Sequence, residues 1–192
     1  NGSMEIHQRQ GNSDALISGG DAGYRSADRW ALRNNNESVV AVDNSLVGVG
    51  FASVLRVKRD SGEIDISQGV ELPLNNLGTQ TKPGPFVNGS TWSISFWADT
   101  APSLVGASFA ESVTSTTAGA DDNEFVVTQQ DNIATEGSYT RYHYTFAVNV
   151  DRPTADSNVN MLKIMLRFPS SGTFVSLTGC QLEPGPVATP FE

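Results

Sequence analysis

The sequence predicts an all-β fold, a jelly-roll β-sandwich of two antiparallel sheets, formed by a single domain over residues 1–192. Three observations predict it. Apolar residues recur at every second position in stretch after stretch, the period of a half-buried strand. Clusters of Gly, Pro, Asn and Ser punctuate those stretches. No long segment carries the 3.6-residue period of an amphipathic helix. Together they give nine or ten short strands and the layered architecture that such strands adopt.

Length and composition set bounds on this reading. A chain of 192 residues defaults to one domain and can bury about 70% of its unfolded surface without a disulfide or metal. The one cysteine, Cys180, excludes an intrachain disulfide and any multi-cysteine zinc site. Twelve Lys and Arg against 21 Asp and Glu leave a formal charge of −9. That argues against nucleic acid as a partner, because affinity there rests on neutralising phosphates. No apolar run approaches the roughly 20 residues that cross a bilayer, and no signal peptide opens the sequence. No membrane insertion is expected, and the domain as given should be soluble.

Taken in order, Asn1 to Gln10 is a strand candidate with Met4 and Ile6 on one side. Gly11 to Arg29 reads as loop-rich, hinged at 19–23. The Asp28–Arg29 pair fits a turn with a salt bridge, leading into a strand that carries Trp30 and Leu32 to the core. Strands follow at Glu37 to Asp43 and Gly50 to Arg59, the second setting Phe51, Ser53, Leu55 and Val57 against Ala52, Val54, Arg56 and Lys58. After the turn at Asp60-Ser61-Gly62, Ile64 and Ile66 alternate with Asp65 and Ser67. Leu72 to Ser90 is a loop rich in Pro and Gly. Thr91 to Asp99 is the central strand, with Trp92, Ile94, Phe96 and Ala98 facing one way and Ser93, Ser95 and Trp97 the other. Ser112 to Asn123 is an exposed loop, and Phe125 and Val127 mark the next strand. From Tyr139 to Val150, Tyr142, Tyr144, Phe146 and Val148 oppose Arg141, His143, Thr145 and Ala147.

Asp151 to Asn160 is a polar loop, and Met161 opens a strand with Leu162, Ile164, Leu166 and Phe168 on one side. After the turn at 169–172, Thr173 to Leu182 is the last strand, on which Cys180 shares a side with Phe174 and Leu182 as a small buried hydrophobe. Glu183-Pro-Gly-Pro186 ends regular structure, and the apolar close Val187 to Glu192 docks on the domain through Phe191.

Three motifs carry a resemblance. Gln181-Leu-Glu-x-Gly-x-Val-Ala-Thr-Pro-Phe-Glu192, the opening around Asn1-Gly-Ser-Met, and Gly23-Tyr-Arg-Ser-Ala-Asp-Arg-Trp30 together resemble a jelly-roll domain of bacteriophage tail fibres and other virion proteins, and they stand in that family's order. The strand TWSISFWAD resembles the same family. The resemblance covers essentially the whole chain. It implies a non-enzymatic virion surface domain on a tail fibre or capsid, a homotrimer that works with other virion proteins in attachment to host surface glycans. The opening also looks like that of jelly-roll carbohydrate-binding modules attached to xylanases. In those a Glu, matched by Glu5, helps bind a structural calcium beside a last-strand Asp. Here Gly179 stands about where that Asp would be, so one carboxylate is missing from a cation that takes six to eight oxygens.

Candidate chemistry is sparse. His7 and His143 sit in no catalytic motif, and no nucleophile elbow, zinc-protease motif or phosphate loop is present. Both histidines read as half-exposed surface residues. Asp121-Asp-Asn-Glu124 reads as a solvated loop more simply than as a cation site. Three sequons, at Asn1, Asn36 and Asn88, carry no meaning for a protein made in bacteria. The best candidate surface is carbohydrate-like: Trp97, Arg141 and His143 point away from the apolar side of their strands and would line an outer-face platform. The simpler account of Trp97 is cover by a loop or a partner subunit. Two other functions stay open: a structural capsid-decoration or fibre-assembly module, and a carbohydrate-binding module of a secreted polysaccharide-degrading enzyme.

Overall fold

Alternating apolar residues and glycine-rich turns lead to twelve strands among the described residues of a computed structural model. It describes residues 15–17, 30–32, 38–43, 50–51, 54–59, 62–71, 85–110, 125–149, 161–170 and 172–190. The strands are β1 (Ala15–Ile17), β2 (Trp30–Leu32), β3 (Ser38–Asp43), β4 (Val54–Arg59), β5 (Gly62–Glu71) and β6 (Thr91–Ala98). They continue with β7 (Leu104–Ala110), β8 (Val127–Gln129), β9 (Ala134–Glu136), β10 (Tyr139–Ala147), β11 (Met161–Ser170) and β12 (Phe174–Pro184). No helix occurs among the described residues.

Two sheets form. One runs β1-β3-β4-β12-β6-β10-β8, with β9 also on β10; the other runs β2-β5-β11-β7. Every pairing is antiparallel. This is a β-sandwich of the jelly-roll kind. The sheets face each other across one apolar layer, because each strand turns its alternate residues inward. Leu55, Val57, Ile94, Phe96, Tyr144, Phe146 and Leu177 enter it from the larger sheet, and Trp30, Leu32, Ile64, Ile66, Leu162, Leu166 and Phe168 from the smaller. Each such side chain contributes about 1.5–3 kcal/mol by leaving water. Aromatic rings knit the layer: Phe96 stacks on Tyr144 at 6.0 Å and meets Phe168 edge-on at 6.2 Å. Phe125 stacks on Phe146 at 6.0 Å and meets Phe109 edge-on at 5.2 Å.

The predicted strand sides hold for β2, β5, β6, β10 and β11. Three expectations change. Among the described residues twelve strands stand where nine or ten were expected, because β1 falls in the stretch read as loop and β7 and β9 had no clear alternation. The predicted strand from Gly50 begins at Val54, and Phe51, lying before it, joins Val54, Tyr139 and Trp97 in a separate cluster. Cys180 and Leu182 do pack against the core, but Phe174 lies on the other face. The cause is a bulge between Thr178 and Gln181 that reverses the alternation of β12. The outer side of β11 is buried too, with Lys163 and Met165 at 0% exposure. On that side the Arg167 guanidinium donates to both Asp65 carboxylate oxygens, at 2.6 and 3.0 Å, from the directly opposite register position.

The strand at residues 1–10, Glu5, His7, Asp28–Arg29, the acidic loop at 121–124 and Phe191 lie outside the described residues.

Candidate functional site

The central strands β12, β6 and β10 position the candidate residues. Their pairing lines up three rows on the outer face of the larger sheet: Thr178–Trp97–Arg141, Gln181–Ser95–His143 and Glu183–Ser93–Thr145. Directly opposite residues share a face, so all nine project the same way. The sheet thus brings Trp97, Arg141 and His143 together as predicted, with Arg141 beside Trp97 and His143 one row on.

Exposure departs from the prediction at Arg141; His143 is half-exposed as read, and Trp97 is partly covered, in line with its simpler account. Trp97 is half-buried and packs on Phe51, Val54 and Tyr139. Arg141 is only 6% exposed, so it is no open platform residue. Its Nη2 donates to Ser95 Oγ at 2.9 Å, to Gln181 Oε1 at 2.7 Å and to the Thr189 carbonyl at 2.6 Å. One amino group has two hydrogens, so three acceptors share them. Burial pulls the guanidinium below its usual 12.5, and Glu183 opposes that pull. An arginine so placed keeps its charge. His143 is half-buried, and burial lowers its pKa from the ordinary 6.5; the Arg141 charge lowers it further, while Glu183 acts in the opposite sense.

The cover comes from the chain itself. After β12, Gly185 takes a left-handed φ of +95° and its N–H donates to the Thr91 carbonyl at 2.7 Å, turning the chain back. Residues 186–190 then cross the face as a strap. Thr189 N–H donates to Glu183 Oε2 at 3.0 Å, Thr189 Oγ1 donates to Glu183 Oε1, and Gln181 Nε2 donates to the Pro190 carbonyl at 3.4 Å. Gln181, Glu183, Gly185 and Thr189 of the closing motif are therefore the parts of a clasp. Sequence reading found the motif but missed that Arg141 is its fourth polar anchor, because 48 residues separate Arg141 from Thr189. The tail docks as expected, though by polar bonds within the described residues.

Gly179 has a physical reason. It lies in the bulge with φ +57°, and a Cβ there would sit 2.5 Å from Phe51 Cζ and 2.9 Å from Trp97 Cδ1. The ring cluster occupies the space that a last-strand aspartate would need. The calcium arrangement of the xylanase-linked modules therefore does not fit this chain at that position. No group of three or more His, Cys, Asp or Glu able to hold a metal occurs among the described residues. Burial pushes the Cys180 thiol well up, so it stays protonated and poorly nucleophilic.

Fold and site together define a β-sandwich with a strapped polar face. No family model and no curated protein matches the sequence. Among solved structures, the enzymatically active domain of bacteriophage CBA120 tailspike protein 4 is similar at 11% identity with a TM-score of 0.48, over 82% of this chain and 20% of that one. This chain thus spans about a fifth of that chain's length. A cyclase from Fischerella sp. TAU is similar at 12% identity and a TM-score of 0.48, over 92% of this chain and all of that one. TmCBM61 in complex with beta-1,4-galactotriose is similar at 11% identity and a TM-score of 0.38, over 82% and 90%. At such scores none of them carries weight about what this chain binds or does.

Proposed function

We propose that the chain is a non-enzymatic domain of a virion surface appendage, a tail fibre or similar structure, that attaches to host surface glycans. The family reading rests on the three ordered motifs. The observation that carries the glycan step is Trp97: an indole on the outer face of a rigid sheet, half-exposed, wedged by Phe51, Val54 and Tyr139. A fixed aromatic with an open side gives a sugar ring a flat apolar surface, and neighbouring polar groups fix its hydroxyls. His143 supplies such a group. Arg141 acts through the strap. Binding of host cells, or of a panel of immobilised host polysaccharides, tests the reading. Trp97→Ala should lower it at least tenfold while the β-rich circular dichroism spectrum persists. Unchanged binding would remove Trp97 from the site.

A second reading is a fibre-assembly or capsid-decoration module without a receptor. The strap favours it, because the chain's own tail already occupies the face. Failure of the wild-type domain to retain any host polysaccharide or cell would leave this reading in place.

A further inference from the structure

The floor beneath the strap has more hydrogen-bonding capacity than the strap uses. Arg141 Nε, His143 Nε2 and Ser93 Oγ are buried and have no hydrogen-bond partner among the described residues. They belong to adjacent rows of one face. Buried polar atoms are as a rule paired, and each unpaired one is costly. The occupant above them is weakly seated: Pro186, Val187, Thr189 and Pro190 are exposed, and Val187, the largest apolar side chain of the described strap, is 68% exposed. Within the described residues 186–190 the strap is held by polar bonds that water can replace, with little apolar burial to resist opening.

We propose that residues 186–190 form a displaceable lid, and that Arg141, His143, Ser93, Ser95 and Gln181 beneath it line a groove for a neutral, hydroxyl-rich saccharide. In the closed form the Thr189 and Pro190 carbonyls stand where ligand oxygens would lie. The floor offers donors from Arg141, an amide from Gln181 and hydroxyls from Ser93 and Ser95 that both donate and accept, and an imidazole nitrogen that does one or the other. Sugar hydroxyls, which both donate and accept, match that mixture. An anionic ligand does not, because the Glu183 carboxylate borders the groove and the chain carries −9. This deepens the glycan reading and rests on it, but the lid can be tested separately.

Amide hydrogen exchange of the full chain reads the lid. The Thr189 amide should exchange at least a hundredfold faster than those of Ile94 and Tyr144 in the central strands; exchange at the core rate would overturn the lid, whatever the domain binds. Thr189→Val removes one clasp bond and leaves the floor intact. It should speed strap exchange by roughly tenfold and raise capture on neutral immobilised polysaccharides several-fold. Truncation after Gly185 should raise capture further. If the truncated chain unfolds, Thr189→Val alone decides. A mobile strap with unchanged or reduced capture in Thr189→Val would overturn the groove while the Trp97 reading stands on its own variant. Absence of capture by every form would overturn the groove and the glycan reading together.

Discussion

Gly179 shows how one residue sets the geometry of the face. Its positive φ makes the bulge, and its missing side chain lets Phe51 and Trp97 close over it. Gly179→Ala combines a strained backbone with a clash against a ring and should cost about 2–4 kcal/mol, read as a lower denaturant midpoint at unchanged slope. Arg141→Met keeps the bulk but strands Ser95, Gln181 and the Thr189 carbonyl without their donor. It should destabilise by about 2 kcal/mol and loosen the strap in exchange. His143 sets a pH dependence. Its folded pKa lies below the ordinary 6.5, chiefly through burial, so the unfolded chain takes up the proton more readily. The His143 contribution to stability is therefore full above pH 6.5 and falls as pH drops below it. The melting temperature should decline there, and His143→Gln should flatten that part of the profile; an unchanged profile would remove His143 as its source. The outward direction of Trp97, Arg141 and His143 was legible from a period of two. The burial of Arg141 was not, because it depends on a tail segment remote in sequence.

Strand β12 shows the same division at the scale of an element. Val175 and Leu177 face the core before the bulge, Cys180 and Leu182 after it, and strict alternation mispredicts Phe174. On the outer face, Phe174 lies under the Arg56 guanidinium, 4.2 Å from ring centre to Cζ. Strand β10 carries a second titration. Burial, reinforced by Tyr142, pushes the Tyr144 hydroxyl up to about 12, so the folded chain keeps this proton longer than the unfolded chain. Stability should fall as pH rises above about 10, and ultraviolet titration should find Tyr144 ionising late; Tyr144→Phe should remove that late step. Strands β6, β10 and β11 were legible because one of their faces is continuously apolar. Strand β7, with Gly106, Ala107 and Ser108 at its centre, was not, since its small residues fit between neighbours without displaying a pattern.

At the scale of the molecule, the proposed fibre role makes a prediction about assembly. Light scattering behind a sizing column should give three times the 20.5 kDa chain mass. A mass of one chain would refute a self-sufficient trimer and favour a module whose assembly is directed by neighbouring domains. The surplus of 21 acidic over 12 basic residues leaves long-range repulsion between copies, so any trimer should tighten as salt screens it.

By itself the sequence determined the all-β class, the inward faces of the principal strands and the closing motif, because period-two alternation and turn chemistry are local properties of a chain. Only the tertiary structure decided that Gly179 breaks the alternation, that Arg141 reaches the tail, and that the closing motif is a clasp over the same face as Trp97. Each of these depends on atoms brought together from strands far apart in sequence, where burial and hydrogen-bond partners are set by the sheet and not by the neighbouring residues.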